Sequence, residues 1–145
     1  MKILLAFNGS KLSEAALHTV ITQRRPENTT VKVLKVIPLD VMEAERLQAQ
    51  ASSDRTAQAL RTAALKAGST ILRDIVLESI VGVAKEWDAN LIVLGWHGQT
   101  TVKRFLFGSV ATRVIHAASC SVELVRFRPE RCESEACRLA ERGKS

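Results

Sequence analysis

The chain has no tyrosine, and aromatic residues fill only 4% of its 145 positions. A platform that stacks single-stranded bases needs several aromatic rings, so that class of function is not expected. Cysteine is scarce as well: Cys120, Cys132 and Cys137, an odd number with two near the C-terminus. That is no disulfide framework. No second Cys or His pair accompanies Cys132 and Cys137, so a zinc site is not expected either. No apolar run reaches the roughly 18 residues of a membrane span. The opening residues Met1 to Asn8 turn polar too early for a secretory signal, and a cytoplasmic setting with reduced thiols is the expectation. The tripeptides Asn8-Gly9-Ser10 and Asn28-Thr29-Thr30 match the glycosylation pattern, which means nothing without secretion.

What is present is ordinary for a globular domain: 46% hydrophobic and 25% charged residues, in a length that suits one domain with its own core. Net charge is +6, but no run of five or six basic residues occurs. A scattered basic surface is expected to be solvated, and to attract an anionic ligand rather than nucleic acid or membrane.

Apolar runs and helical patterns alternate along the chain. Ile3 to Phe7 reads as a buried strand, broken by Asn8-Gly9-Ser10. Ser10 to Arg25 carries Leu12, Ala15, Ala16, Thr19 and Val20 at helical spacing and stops before Pro26; Ser10 or Ser13 would cap it. Thr30 to Ile37 is a β-branched strand ending at Pro38. Val41 to Ala67 is rich in helix formers, with Gly68 expected just past its C-terminus. A short third strand over Ser69 to Leu72 or as far as Val76, a helix over Leu77 to Trp87 and a buried strand over Leu91 to Leu94 follow. A helix from Ser109 or Val110 to about Ala118 and a strand over Ser121 to Val125 complete the pattern. It predicts an α/β fold: an open, doubly wound, five-stranded parallel sheet sandwiched by helices. Residues 1–126 form that domain, and 127–145 read as a charged tail, either a short helix or disorder.

The glycines after the fourth strand carry the chemistry. Gly95-Trp96-His97-Gly98, nine residues and then Gly108-Ser109 follow a strand and precede a helix. Ligands in such sheets bind beyond the carboxyl ends of the strands, at the switch in strand order. Glycine lets backbone amides reach phosphate oxygens, and a helix start favours an anion. Ser109 adds a hydroxyl, while His97, Lys103 and Arg104 supply charge. Phosphate binding is the expected use of this loop.

The spacing G-x-x-G-(nine)-G-S resembles the nucleotide-binding signature of the universal stress protein family, in its ATP-binding subgroup. Ile3 to Ser10 with Ser13 to Leu17 resembles the family's first strand and helix. Ala89 to Gly95, Ser109 to His116 and Cys120 to Arg126 resemble its fourth strand, fourth helix and last strand. The resemblance implies a fold of the adenine nucleotide alpha hydrolase-like kind and a site for ATP, ADP or AMP. It places Gly95 by the ribose, and Gly98, Gly108 and Ser109, with Val110 following, on the phosphates. It sets His97 near them, Val36 on adenine, and Ala6, Phe7 and Asn8 lining the base end. It leaves open whether magnesium or manganese accompanies the nucleotide. It also implies a homodimer through the last strand, Ser121 to Arg126.

Three departures stand out. Asn8 replaces the family's usual Asp, keeping an acceptor but losing the charge. Ser121 and Glu123 replace a usual Pro and apolar residue on the last strand, and a charge on an edge strand opposes pairing. Arg73 to Leu77 is shorter than the usual glycine turn, so a tightened loop is expected.

Gly143-Lys144-Ser145 is no P-loop, because Arg138 stands where its first glycine belongs. His18 and His116 read as ordinary helical residues and Cys120 as an inert thiol. Efficient phosphoryl transfer is not implied, since residue 8 is not a carboxylate; Asp40, just after the second strand, reads equally as a substitute or as a solvated turn residue. A nucleotide-binding regulatory module in stress response is the leading reading. A slow ATPase or autophosphorylating protein is one alternative, and an anion- or AMP-binding scaffold without turnover another.

Overall fold

The computed structural model describes residues 1–96 and 104–126. The elements run β1 (Lys2–Ala6), α1 (Lys11–Thr22), β2 (Thr30–Ile37), α2 (Glu43–Thr62), β3 (Lys66–Arg73), α3 (Val76–Trp87), β4 (Leu91–Trp96), α4 (Arg104–Ala117) and β5 (Ser121–Arg126). All strands pair in parallel, in the order β3-β2-β1-β4-β5. The chain builds outward from β1 to β3, then returns to add β4 on the other side of β1. The expected five-stranded, doubly wound sheet is therefore present, and its switch point lies between β1 and β4.

Strand geometry sorts the core into two layers, because successive side chains point to opposite faces. Ile3, Leu5, Phe7, Val31, Val33 and Val93 pack with Ala16 and Val20 of α1 and Ala57 and Leu60 of α2. Leu4, Leu34, Ile92 and Leu94 pack with Ile80 and Ala84 of α3 and Val114 of α4. β1 and β4 are buried on both faces, which is why their sequences are unbroken apolar runs. Each Leu or Ile sealed in these layers contributes about 1.5–3 kcal/mol.

The second helix ends earlier than its composition predicts. α2 stops at Ala63 and Ala64 takes a left-handed conformation, φ 66°. Ala64 N–H donates to Arg61 O at 2.9 Å and Leu65 N–H to Leu60 O at 3.1 Å, the paired bonds of a Schellman turn. Leu65 and Ala67 are thereby released to pack on the core, and Gly68 lies inside β3 opposite Lys32. Gly68 is not the helix terminator that its position suggested. α1 also ends early, at Thr22, with Gln23 N–H closing it onto Thr19 O. β1 begins and ends one residue earlier than its apolar run, and β4 extends two residues further, to Trp96.

Candidate functional site

β1 leaves the sheet through a turn built by its own side chains. Phe7 N–H still donates to Leu34 O at 3.0 Å, which holds the strand end to β2. Asn8 Oδ1 then accepts the Ser10 N–H at 3.0 Å, and Gly9 between them has φ 84°. A left-handed φ favours glycine, so the turn needs it. Ser10 caps α1, its Oγ accepting the Ser13 N–H at 3.3 Å. The acceptor retained by the Asp-to-Asn change is thus spent inside the protein, and the Asn8 amide group remains exposed.

Register brings the remaining residues alongside. Ala6 is opposite Leu34, and Leu5 opposite Val93. Carrying these offsets two residues past Ala6 sets Asn8 level with Val36 and Trp96. Val36 and Ala6 are half-buried and pack on the α3/α4 side. Phe7 is buried on the α1/α2 side. Ala6 and Phe7 therefore point to opposite faces and do not share a pocket through their side chains. Strand alternation makes this unavoidable.

Gly95 has a structural task of its own. A Cβ there would collide with the backbone carbonyl of Leu12 and lie 2.9 Å from its Cβ. Only glycine lets α1 pack this closely on β4. Trp96, next in line, is the last residue of β4, opposite Arg126, rather than a loop residue.

α4 begins at Arg104, so Gly108 and Ser109 lie in its second turn instead of ahead of it. The expectation that Gly108-Ser109 starts the helix is corrected. Phe105-Leu106-Phe107 extends an apolar helical pattern that Gly108 interrupts too weakly to delimit. Val110 is exposed on α4, 37% accessible. His97, Gly98 and Lys103 lie outside the described residues, as does the tail from residue 127.

Several neighbours of the site were not legible in advance. Leu39, Met42 and Ile75 are largely exposed on the loops that leave β2 and β3 at this same edge. Their signal is simply that they are apolar and sit beyond strand ends. Asp40 is exposed on the first of these loops. The loop after β3 is as tight as expected: two residues, with Asp74 Oδ1 accepting the Ile75 N–H at 2.8 Å and Asp74 N–H donating to Ile37 O at 3.2 Å. Arg73 closes the corner by contacting Glu43 at 3.3 Å. The Arg46 hydrogen bond, with smaller help from Arg73, holds the Glu43 carboxyl below its ordinary range. Burial pushes the Cys120 thiol up, as befits an inert cysteine. Among the described residues no group of three or more His, Cys, Asp or Glu could hold a metal ion. No described helix is long and apolar enough to cross a membrane.

The geometry can be compared with known proteins at this point. A universal stress protein of Methanocaldococcus jannaschii is 31% identical over 138 residues, covering 86% of this chain and 81% of its own. The solved structure of protein MJ0577 superposes with a TM-score of 0.74 at 28% identity, over 88% of this chain and 96% of its own. The universal stress protein of Archaeoglobus fulgidus solved in complex with dAMP gives a TM-score of 0.70 at 24% identity, over 87% and 98% of the two chains. The model of the universal stress protein family matches residues 1–126. The chain is a member of the universal stress protein family.

Proposed function

We propose that this protein binds an adenine nucleotide, ATP or its relatives, across the switch point between β1 and β4, and acts as a regulatory module in stress response. One observation carries the proposal. The register brings Asn8, Val36 and the end of β4 level at the carboxyl edge, immediately before the glycine-rich connection to α4. The base would lie against Val36 and Ala6, the ribose near Gly95, and the phosphates on His97, Gly98, Gly108 and Ser109. The dAMP complex of the Archaeoglobus relative supports the ligand class. Asn8 would offer its exposed amide rather than a charge. Magnesium or manganese, if it accompanies the ligand, would ride on phosphate oxygens. The protein would act in the cytoplasm, as a homodimer along β5, the edge strand.

The test is calorimetric titration with ATP, ADP and AMP, with and without magnesium, followed by an assay of phosphate release. Binding without turnover is the expected outcome. Gly108→Val should weaken binding more than about tenfold, a loss of about 1.4 kcal/mol, with the fold intact because valine is tolerated inside a helix. Absence of binding by all three nucleotides in a folded sample, or unchanged affinity in the valine variant, refutes the proposed pose. Asn8→Asp in the same titration reports on the base end.

A further inference from the structure

β3 is an edge strand, with β2 on one side and, among the described residues, no strand on the other. At eight residues it is long for an edge. Its central stretch, Ala67-Gly68-Ser69-Thr70-Ile71-Leu72, holds no charge and no proline, and its register with β2 runs unbroken. Edge strands usually carry such interruptions, because bare N–H and C=O groups recruit another strand.

The pairing with β2 fixes which backbone groups are bare. Asp74 N–H donates to Ile37 O at 3.2 Å, and a residue of a parallel strand turns both its backbone groups to the same side. Lys66, Gly68, Thr70, Leu72 and Asp74 therefore bond toward β2, while Ala67, Ser69, Ile71 and Arg73 point outward. The Arg61 side chain agrees with this, since its Nε–H donates to Ala67 O at 2.9 Å. That carbonyl keeps a second lone pair. On the α2 face, Ser69 donates to Asp54 at 2.7 Å and Arg73 contacts Glu43 at 3.3 Å, which holds the strand straight. α2 itself rests on Val31 and Val33 of β2 through Ala57 and Leu60, inward of the edge.

The strand is complementary to a second copy of itself. A two-fold axis through Thr70, normal to the sheet, sets two β3 strands antiparallel. Ser69 then faces Ile71, and Ala67 faces Arg73, as hydrogen-bonded pairs. Lys66 faces Asp74, Gly68 faces Leu72 and Thr70 faces its own copy, in the closer positions where side chains touch. Lys66 and Asp74 are both exposed, so opposite charges meet at each end of the contact. Chain neighbours aside, no described residue lies within 4 Å of the place a Gly68 Cβ would take, which seats the half-buried Leu72 of the second copy. Moving the axis to Ser69 or Ile71 leaves Lys66 opposite Leu72 or Val76, and the charge match is lost.

We propose that β3 is a self-pairing edge, through which two copies of this chain join their sheets antiparallel about Thr70. The surface is separate from the β5 edge and from the nucleotide site. The contact is isologous, so it closes on two copies.

The test uses the full chain, with sedimentation velocity over a concentration series and cross-linking. Thr70→Cys places two thiols across the axis, where the strand spacing of roughly 4.5 Å between Cα atoms permits a disulfide. Mild oxidation should join two copies through peptides that contain position 70, identified by mass spectrometry. Gly68→Cys, off the axis, should not join to itself. Lys66→Glu and Asp74→Lys each set like charges face to face twice per pair, and each should weaken β3 association by about tenfold. An equal mixture of these two variants should associate again, because each supplies the charge the other lost. If Thr70→Cys does not fold, the two exposed charge variants and their mixture decide the matter. The proposal is overturned if Thr70→Cys gives no position-70 cross-link, or if Gly68→Cys joins to itself equally well. It is also overturned if the charge variants associate like the parent chain, or if mixing them restores nothing. Association through β5 alone gives these overturning results and leaves nucleotide binding untouched.

Discussion

At the carboxyl end of β1 the chain turns with a glycine, and at the amino edge of the sheet it turns with residues that carry a Cβ. Gly9 is the glycine with positive φ among the described residues, directly after β1. Asn28, Ala64 and Asp88, with φ of 64°, 66° and 58°, precede β2, β3 and β4 at the other edge. Ala64 and Asp88 each close a helix with the same pair of backbone bonds; Asp88 N–H donates to Lys85 O at 3.2 Å and Ala89 N–H to Ala84 O at 2.8 Å. The turns at Ala64 and Asp88 thus spend backbone groups on one another and accept some strain to do so. The turn after β1 spends side chains, Asn8 and Ser10, and leaves the space beside Gly9 open. An edge built in the second way is the one suited to a ligand that approaches backbone.

Gly95 is the exception at the carboxyl edge, because Leu12 fills the place its Cβ would take. Gly95→Ala should destabilise the ligand-free chain by about 2 kcal/mol or more, as overpacking against a backbone does. Gly82, in the middle of α3 with nothing near its Cβ position, should respond in the opposite sense. Gly82→Ala should stabilise by about 1 kcal/mol, the helix propensity difference. Urea midpoints at constant slope measure both. If Gly95→Ala is neutral for stability but lowers nucleotide affinity, Gly95 belongs to the ligand and not to the α1–β4 contact.

The amino edge gives a smaller effect with the reverse sign. Ala64→Gly relieves a left-handed Cβ and should raise stability by about 1 kcal/mol, while Gly9→Ala should lower it by a similar amount although the space there is open. Thermal unfolding of the two variants would expose the contrast directly. Equal and small changes in both would mean that positive φ costs little here and that the edges do not differ in strain.

These same positions show what sequence could and could not reveal. Strand and helix alternation is written in the apolar periodicity, so the order of elements and the doubly wound sheet were legible from Ile3 to Val125. The end of α2 was not. Composition ran helix formers through Ala67, and a Schellman turn closed by alanine leaves no residue signature, whereas Gly68 offered a misleading one. The start of α4 was hidden in the same way, since Gly108 looked like a boundary and lies within the helix. For the proposed site, spacing pointed to the carboxyl edge of the sheet. It did not reveal that Asn8 is occupied by Ser10, or that Leu12 fills the place of a Gly95 side chain, because both depend on how α1 packs. Arg25, expected at the end of the first helix, lies beyond it because α1 stops at Thr22, and its guanidinium stands against Glu123 of β5.

The least of the expected effects concerns the two ends of α2, which span the two edges. Its start is tied by Glu43 to Arg46 at 2.6 Å and to Arg73 at 3.3 Å, whereas its end is closed by backbone bonds that do not titrate. Glu43 has a carboxyl held below its usual value of 4.5 by Arg46, and Asp54 one held below 3.8 by the Ser69 hydroxyl and then Gln50. A depressed folded-state value means that the charged form is favoured by folding. The stability contributed is fully present above those ordinary values and is lost as pH falls through them and below. Both groups are solvent-exposed, so the loss is small. Acid should therefore lower amide protection factors, corrected for the intrinsic exchange rate at each pH, near the start of α2 before it does so around Ala63 and Ala64. Glu43→Gln should reproduce that loosening at neutral pH and flatten the acid response of the first turn. Uniform loosening of both ends would show that the ion pairs of the carboxyl edge do not hold the helix start, and that packing on the sheet fixes both ends alike.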